Sequence, residues 1–139
     1  ANADEASEKG LQNFGKSIGM AFQLIDDVLD YAGDATDLGK NIGDDLAEGK
    51  PTLPLIYAIE KSDKQQQKLI QRALKTEQLN PEMLKDVIEI VRHSGGLEYT
   101  QGLAKEQSKA ALNCLQALPD SEYRQAMEAM VNFSLSRKS

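Results

Sequence analysis

Apolar side chains recur at three- and four-residue steps over a long stretch near the start of the chain, from about Asp4 to Ala32. This spacing places them along one side of an α-helix. Further helical patterns follow to the last residues, and no segment alternates apolar and polar side chains with a period of two. The sequence therefore predicts an all-α fold, built as a single helical domain over residues 1–139.

Local signals predict where the other helices begin and end. Residues 33–50 contain four glycines and four aspartates, which is typical of a long ordered loop with one helical turn. Further helices are predicted from Pro51 and Pro54 to about Glu60, from a capping box of Ser62 and Gln65 to about Lys75, from Asn80-Pro81 to Gly95, from Gly96 to Leu118, and from Glu122 to about Arg137. In the last of these, the residues predicted to face inward are Tyr123, Met127, Met130, Val131 and Leu135.

An acidic stripe interrupts the apolar pattern of the first helix. At about 100° of rotation per residue, Gln23, Asp26, Asp27 and Asp30 fall within an arc of roughly 100°. Asp26 and Asp30 form an i,i+4 like-charge pair, which destabilises a helix. No lysine or arginine occurs between Lys16 and Lys40, so no residue nearby in sequence neutralises the stripe. Carboxylate oxygens at this spacing suit Mg²⁺, which is commonly held by one or two carboxylates and a substrate phosphate.

A simpler interpretation is that the stripe is an ordinary solvated helix face. The apolar residues on both sides of it and the missing counter-charges favour a bound cation instead. Three glycines on the same helix, Gly10, Gly15 and Gly19, each weaken a helix relative to alanine, and they predict close approach by a neighbouring helix or a substrate.

Composition narrows the classes of partner. Sixteen lysines and arginines against 22 aspartates and glutamates give a net charge of -6, which argues against nucleic acid as a main partner. From the sequence we expect neither a membrane span nor a signal peptide. The one cysteine, Cys114, is interpreted as a small buried residue, which fits a reducing cytoplasm. Residues 1–7 lack an initiator methionine, from which we expect the chain to be cut from a longer one.

Two segments taken together carry a family resemblance. FQLIDDVLDYAGD, at residues 22–34, is followed by LGKNIGDDLAEGKPTLPL, at residues 38–55. A DDxxD sequence alone is weak evidence, but this order of motifs is specific. It resembles the C-terminal half of the trans-type polyprenyl diphosphate synthases, an all-helical family of isoprenoid synthases, and it is most similar to the bacterial long-chain enzymes of the octaprenyl type.

The resemblance implies a chemistry and a set of residue roles. Members of the family use Mg²⁺ to add isopentenyl diphosphate to an allylic diphosphate. By motif match, Asp26, Asp27 and Asp30 form the second aspartate-rich motif, with Asp26 as the most direct metal ligand and the other two acting directly or through water. Lys40 and Lys50 match lysines that hold the diphosphate, Gln23 matches a polar residue near the reacting carbons, and Phe22 matches an aromatic residue of the isopentenyl diphosphate pocket. Asp44 is a further metal candidate, whereas Asp45 is expected to face solvent.

Each assignment has a structural alternative. Lys40 and Lys50 are alternatively plain surface lysines, and Gln23 is alternatively a structural hydrogen-bond partner. His93 is interpreted as a partner of the helix dipole rather than as a catalyst.

The resemblance also implies a homodimer that makes a long-chain product for quinone side chains and hands this lipid to the membrane. The first aspartate-rich motif of the family is absent from the sequence. We therefore expect the chain alone to be inactive. The rival hypotheses are a non-catalytic helical subunit of a heteromeric synthase and a plain helical interaction module.

Overall fold

The computed structural model describes residues 2–32 and 43–136, with side chains from Glu5 onward. The described residues form seven α-helices and no strand, which confirms the all-α prediction. The helices are α1 (Asn2–Ala32), α2 (Asp44–Ala47), α3 (Leu53–Lys61), α4 (Lys64–Lys75), α5 (Pro81–Ser94), α6 (Gly96–Leu115) and α7 (Glu122–Ser136).

Short polar motifs set the ends of the middle helices. Asn80 caps α5 by accepting a hydrogen bond from Met83 N at 2.7 Å, and Gly95 ends the helix with a φ of 89°, as predicted. The predicted capping box of α4 is one residue out of register. Asp63 is the N-cap, and it exchanges hydrogen bonds with Gln66, whereas the Ser62 hydroxyl donates to Ala58 O. An aspartate carboxylate accepts a charge-assisted bond from the helix N-terminus, which explains its advantage over serine at this place.

The described residues divide into two compact units, the first within Ala1–Ile25 and Gly102–Lys138 and the second within Asp26–Gln101. In the second unit, which carries the aspartates of the acidic stripe, α5 packs against α3 and α4, and α2 contacts α4. Its core is a cluster of eleven buried residues drawn from every helix between the end of α1 and the start of α6. These residues are Val28, Tyr31, Leu46, Leu55, Ala58, Ile70, Ala73, Val87, Ile88, Val91 and Leu97.

The first unit has a smaller core around Phe14, Ile18 and Leu115. A Cβ atom on Gly10 would lie 3.2 Å from Cys114 O, so the predicted close approach is confirmed there. It is not found at the other two glycines of α1, where nothing among the described residues lies within 4 Å of the added atom. Cys114 itself is half-buried rather than buried.

Helix α7 corrects the predicted inward face. Val131 is fully buried and Met127 is half-buried, but Tyr123 is 81% exposed. Met130 and Leu135 are exposed as well. Apolar spacing identifies one face of a helix but does not show that another element covers that face.

Candidate functional site

The three aspartates of the acidic stripe lie in the last two turns of α1, and their burial differs sharply. Asp26 is exposed, Asp27 is half-buried and Asp30 is only 3% exposed. The stripe is therefore not a uniform solvated face. A carboxylate that is almost fully buried needs hydrogen-bond donors to compensate its charge, whereas an exposed carboxylate is solvated by water.

Asp30 finds donors at the start of α2. Its carboxylate oxygens lie 3.3 and 3.5 Å from Asp45 N, which donates to them, and its backbone oxygen accepts from Gly43 N at 2.9 Å. Gly43 has a φ of 83°, a conformation that glycine adopts far more readily than other residues. A Cβ atom there would lie 2.7 Å from Leu84 Cδ1. A glycine at this position thus lets the chain return to the end of α1.

A Schellman motif ends α2 and places Lys50. Gly49 has a φ of 76°, its N–H donates to Leu46 O at 2.9 Å, and the Lys50 N–H donates to Asp45 O at 2.8 Å. Leu46 is fully buried in the core of the unit. The backbone of Lys50 is therefore held by hydrogen bonds on a turn anchored in the core, even though its side chain is exposed.

The Lys50 side chain makes an ion pair with Glu48, at 2.9 Å between Nζ and Oε2. The hydrogen bond and the charge of Glu48 raise the pKa of Lys50 above its usual value. Both side chains are more than half exposed, so the pair is easily exchanged for another anion. Lys50 therefore offers a permanent positive charge at neutral pH. Lys40, the other predicted lysine, lies outside the described residues.

Tyr31, in the last turn of α1, is fully buried. Burial, together with the nearby charge of Asp30, raises the pKa of the Tyr31 hydroxyl. Among the described residues, neither the Tyr31 hydroxyl nor the Thr52 hydroxyl has a hydrogen-bond partner. The backbone oxygen of Tyr31 accepts from Arg92 Nε at 2.8 Å, so the end of α1 is also tied to α5.

Phe22 and Gln23 precede the aspartates on α1 and belong to the first compact unit. Phe22 packs at the edge of that unit's core, and its ring centroid lies 6.4 Å from that of Phe133. Gln23 is exposed.

The remaining candidates lie near helix ends. Asp44 and Asp45 are both half-buried in the first turn of α2. His93 lies in the last turn of α5, and its Nδ1 is 2.8 Å from Glu89 O. This position agrees with the predicted role of His93 as a partner of the helix C-terminus.

The carboxylates at the end of α1 can be compared with the oxygen ligands that a metal ion requires. The described residues contain no group of three or more histidine, cysteine, aspartate or glutamate side chains arranged to hold an ion. Asp26 and Asp27 carry carboxylates on neighbouring positions of α1, while the carboxylate of Asp30 accepts from a peptide N–H. Two carboxylates fit Mg²⁺, which usually keeps several waters and takes further oxygens from a phosphate.

Sequence reasoning missed the bonds from Asp45 to Asp30 and from Arg92 to Tyr31. The first joins residues 15 apart and the second joins residues 61 apart. Only the Gly43-Asp44-Asp45 sequence hints at the first, because glycine and aspartate are common at helix starts. Within the described ranges, no helix combines the length and the apolar character needed to cross a bilayer.

The sequence of this chain matches a protein family and several of its characterised members. The polyprenyl synthetase model matches residues 1–91. An octaprenyl diphosphate synthase of Haemophilus influenzae is 44% identical over 137 residues, which are 99% of this chain and 41% of the relative. An all-trans-nonaprenyl-diphosphate synthase of Rhodobacter capsulatus is 48% identical over 127 residues, 91% of this chain and 38% of the relative.

Solved structures agree with these matches. A polyprenyl synthase of Caulobacter crescentus, complexed with calcium and isoprenyl diphosphate, has a TM-score of 0.86 and 36% identity over 96% of this chain and 41% of its own. A geranylgeranyl pyrophosphate synthase of Corynebacterium glutamicum, complexed with isoprenyl diphosphate and magnesium, has a TM-score of 0.82 and 28% identity over 94% of this chain and 37% of its own. The chain thus spans about two fifths of the length of the relatives it matches.

Proposed function

Because the chain belongs to the polyprenyl synthetase family, we propose that it supplies the metal- and diphosphate-binding part of a Mg²⁺-dependent prenyltransferase. The observation that carries the proposal is the acidic end of α1, where Asp26 is exposed, Asp27 is half-buried and Asp30 is buried. The reaction is the head-to-tail addition of isopentenyl diphosphate to an allylic diphosphate.

The proposed roles follow from the charge that the reaction creates. When the allylic C–O bond breaks, negative charge grows on the departing diphosphate, and a divalent cation supplies positive charge against it. Asp26 and Asp27 would hold Mg²⁺ there, with Asp26 as the most direct ligand and Asp30 as the third carboxylate of the motif. Lys40 and Lys50 bind the diphosphate oxygens. Lys50 suits this role because its ion pair with Glu48 lies at the surface and exchanges at little cost.

Gln23 and Phe22 complete the proposed site residues. Gln23 contacts the substrate near the reacting carbons, which its exposure permits. Phe22 lines the isopentenyl diphosphate pocket. Asp44, in the first turn of α2, is a secondary metal candidate.

The proposed product is a long-chain diphosphate of the octaprenyl type, used for quinone side chains. The names of the relatives, octaprenyl and nonaprenyl diphosphate synthases, support a long chain. We further propose a cytoplasmic homodimer that hands its lipid product to the membrane. Because the chain covers about two fifths of these relatives and contains no second DDxxD sequence, the 139 residues alone are proposed to be inactive in chain elongation.

Binding of inorganic pyrophosphate in the presence of Mg²⁺ tests the proposal by calorimetry. Asp26→Ala should weaken binding by about tenfold or more, since removing one partner from a buried or charged contact costs roughly 1.5–3 kcal/mol. Asp86→Ala is the matched control, because Asp86 is an exposed aspartate on α5. Equal affinity in both variants would contradict the proposal and favour a non-catalytic helical subunit.

A further inference from the structure

Two successive hydrogen bonds connect the end of the acidic stripe to Lys50. The Asp45 N–H donates to the Asp30 carboxylate, and the Asp45 carbonyl accepts from the Lys50 N–H at 2.8 Å. The backbone of a single residue, Asp45, therefore hydrogen-bonds both to the carboxylate of Asp30 and to the backbone of Lys50, the proposed diphosphate-binding lysine. Both bonds lie within the second compact unit.

The short helix between these residues depends on such anchors. Helix α2 has four residues, which is far too few for a helix to be stable by itself in water. It is fixed at its start by Asp30 and Gly43, in its middle by the buried side chain of Leu46, and at its end by the Schellman motif at Gly49. Removal of the Asp30 carboxylate is therefore expected to loosen the whole of α2, including the backbone of Lys50 that follows Gly49.

We propose that Asp30 is a positioning residue, which fixes Lys50 through the peptide of Asp45, and that the direct metal ligands of the motif are Asp26 and Asp27. The division follows burial, because Asp30 is 3% exposed and accepts from a backbone N–H, whereas Asp26 is exposed. The Asp45 N–H lies 3.3 and 3.5 Å from the two carboxylate oxygens of Asp30, so both oxygens face the start of α2. This inference deepens the proposed function and depends on it for the role of Lys50.

Amide hydrogen exchange on the intact protein without substrate tests the anchor independently of any activity. In Asp30→Ala, the Asp45 and Lys50 amides should exchange about tenfold faster or more, since a bond to a charged acceptor is lost. Asp30→Asn keeps an acceptor oxygen and should restore most of the protection. The Val91 amide, in the buried part of α5, reports that the variant remains folded. The proposal is overturned if the Asp45 amide of Asp30→Ala exchanges within about twofold of its wild-type rate. The same holds if its exchange is no faster than in Asp30→Asn, or rises no more than that of the Val91 amide.

Pyrophosphate affinity in the presence of Mg²⁺ tests the connection to Lys50. Asp30→Ala should weaken binding by about tenfold in the wild-type background but by less than about twofold in a Lys50→Met background, because residues that act through one another are not additive. An equal loss in both backgrounds would show that Asp30 acts on the ion directly, which overturns the proposal. Failure of the proposed function gives a different pattern. Pyrophosphate binding would then survive Asp26→Ala, while the exchange result at Asp45 would still support Asp30 as the anchor.

Discussion

Gly43→Ala is the substitution whose effect follows most directly from the geometry around the site. Gly43 has a φ of 83°, and its N–H donates to Asp30 O at 2.9 Å. For a residue with a Cβ, adopting this left-handed conformation costs about 1–2 kcal/mol of conformational free energy. The new Cβ would also lie 2.7 Å from Leu84 Cδ1. Because that atom is the end of a flexible side chain, its displacement adds an off-rotamer cost of about 0.5–1.5 kcal/mol.

The two contributions together predict that Gly43→Ala lowers the free energy of unfolding by about 1.5–3.5 kcal/mol. Gly102→Ala is the matched control. Gly102 lies inside α6, and a Cβ there meets nothing within 4 Å among the described residues, so alanine should stabilise the helix by about 0.5–1 kcal/mol. Urea denaturation followed by circular dichroism measures both changes.

A second substitution separates the two contributions. In a Leu84→Ala background the contact with Leu84 is gone, and Gly43→Ala should then cost only the conformational part, about 1–2 kcal/mol. If Gly43→Ala proves as stable as wild type while Gly102→Ala is stabilised as expected, the left-handed turn at the start of α2 is wrong, and the anchor at Asp30 loses its support.

Two further predictions concern Tyr31 and the start of α4. Burial raises the pKa of Tyr31 above its ordinary 10.0, so the folded state holds the hydroxyl proton more tightly than the unfolded state does. The resulting contribution to stability is present below about pH 10 and is lost as the pH rises further. Tyr31→Phe should remove this alkaline loss in pH-dependent urea titrations, whereas Tyr123→Phe, at an exposed position, should keep it. Asp63→Ala should lower the free energy of unfolding by about 0.5–2 kcal/mol through loss of the N-cap, and a larger loss in Ser62→Ala would show that the cap belongs to the serine.

The ends of several helices were predictable because their signals are local. Asn80 and Gly95 bound α5 as predicted, since an N-cap and a left-handed glycine act within one turn of the chain. At α4 the serine and the aspartate of Ser62-Asp63 both have a glutamine three residues later, so spacing alone does not choose between them. The capping box forms at Asp63, where the stronger acceptor lies.

Periodicity predicted less well which apolar residues are covered. The spacing in α7 marks a face, but Tyr123 and Met130 on that face are exposed, while Val131 is buried. Burial depends on which elements pack against a helix, and that information lies outside the helix's own sequence.

In the candidate site, too, local features were predictable from the sequence and long-range contacts were not. The residues of the aspartate motif were identified from spacing and missing counter-charges, both of which are visible in the sequence. The difference between exposed Asp26 and buried Asp30 was not predictable, because it depends on a hydrogen bond from Asp45, 15 residues away. The predicted roles of Gln23, Phe22, Lys40 and the motif remain predictions.

Paramagnetic broadening by Mn²⁺, used in place of Mg²⁺, tests the central claim most directly, because it reports where the ion binds. In the presence of pyrophosphate, substoichiometric Mn²⁺ should broaden the amide signals of Asp26 and Asp27 first, and Asp26→Ala should abolish this selectivity. Broadening that is equally strong at the control aspartate, Asp86, or that is unchanged in Asp26→Ala, would contradict the claim that the end of α1 holds a metal ion against a diphosphate.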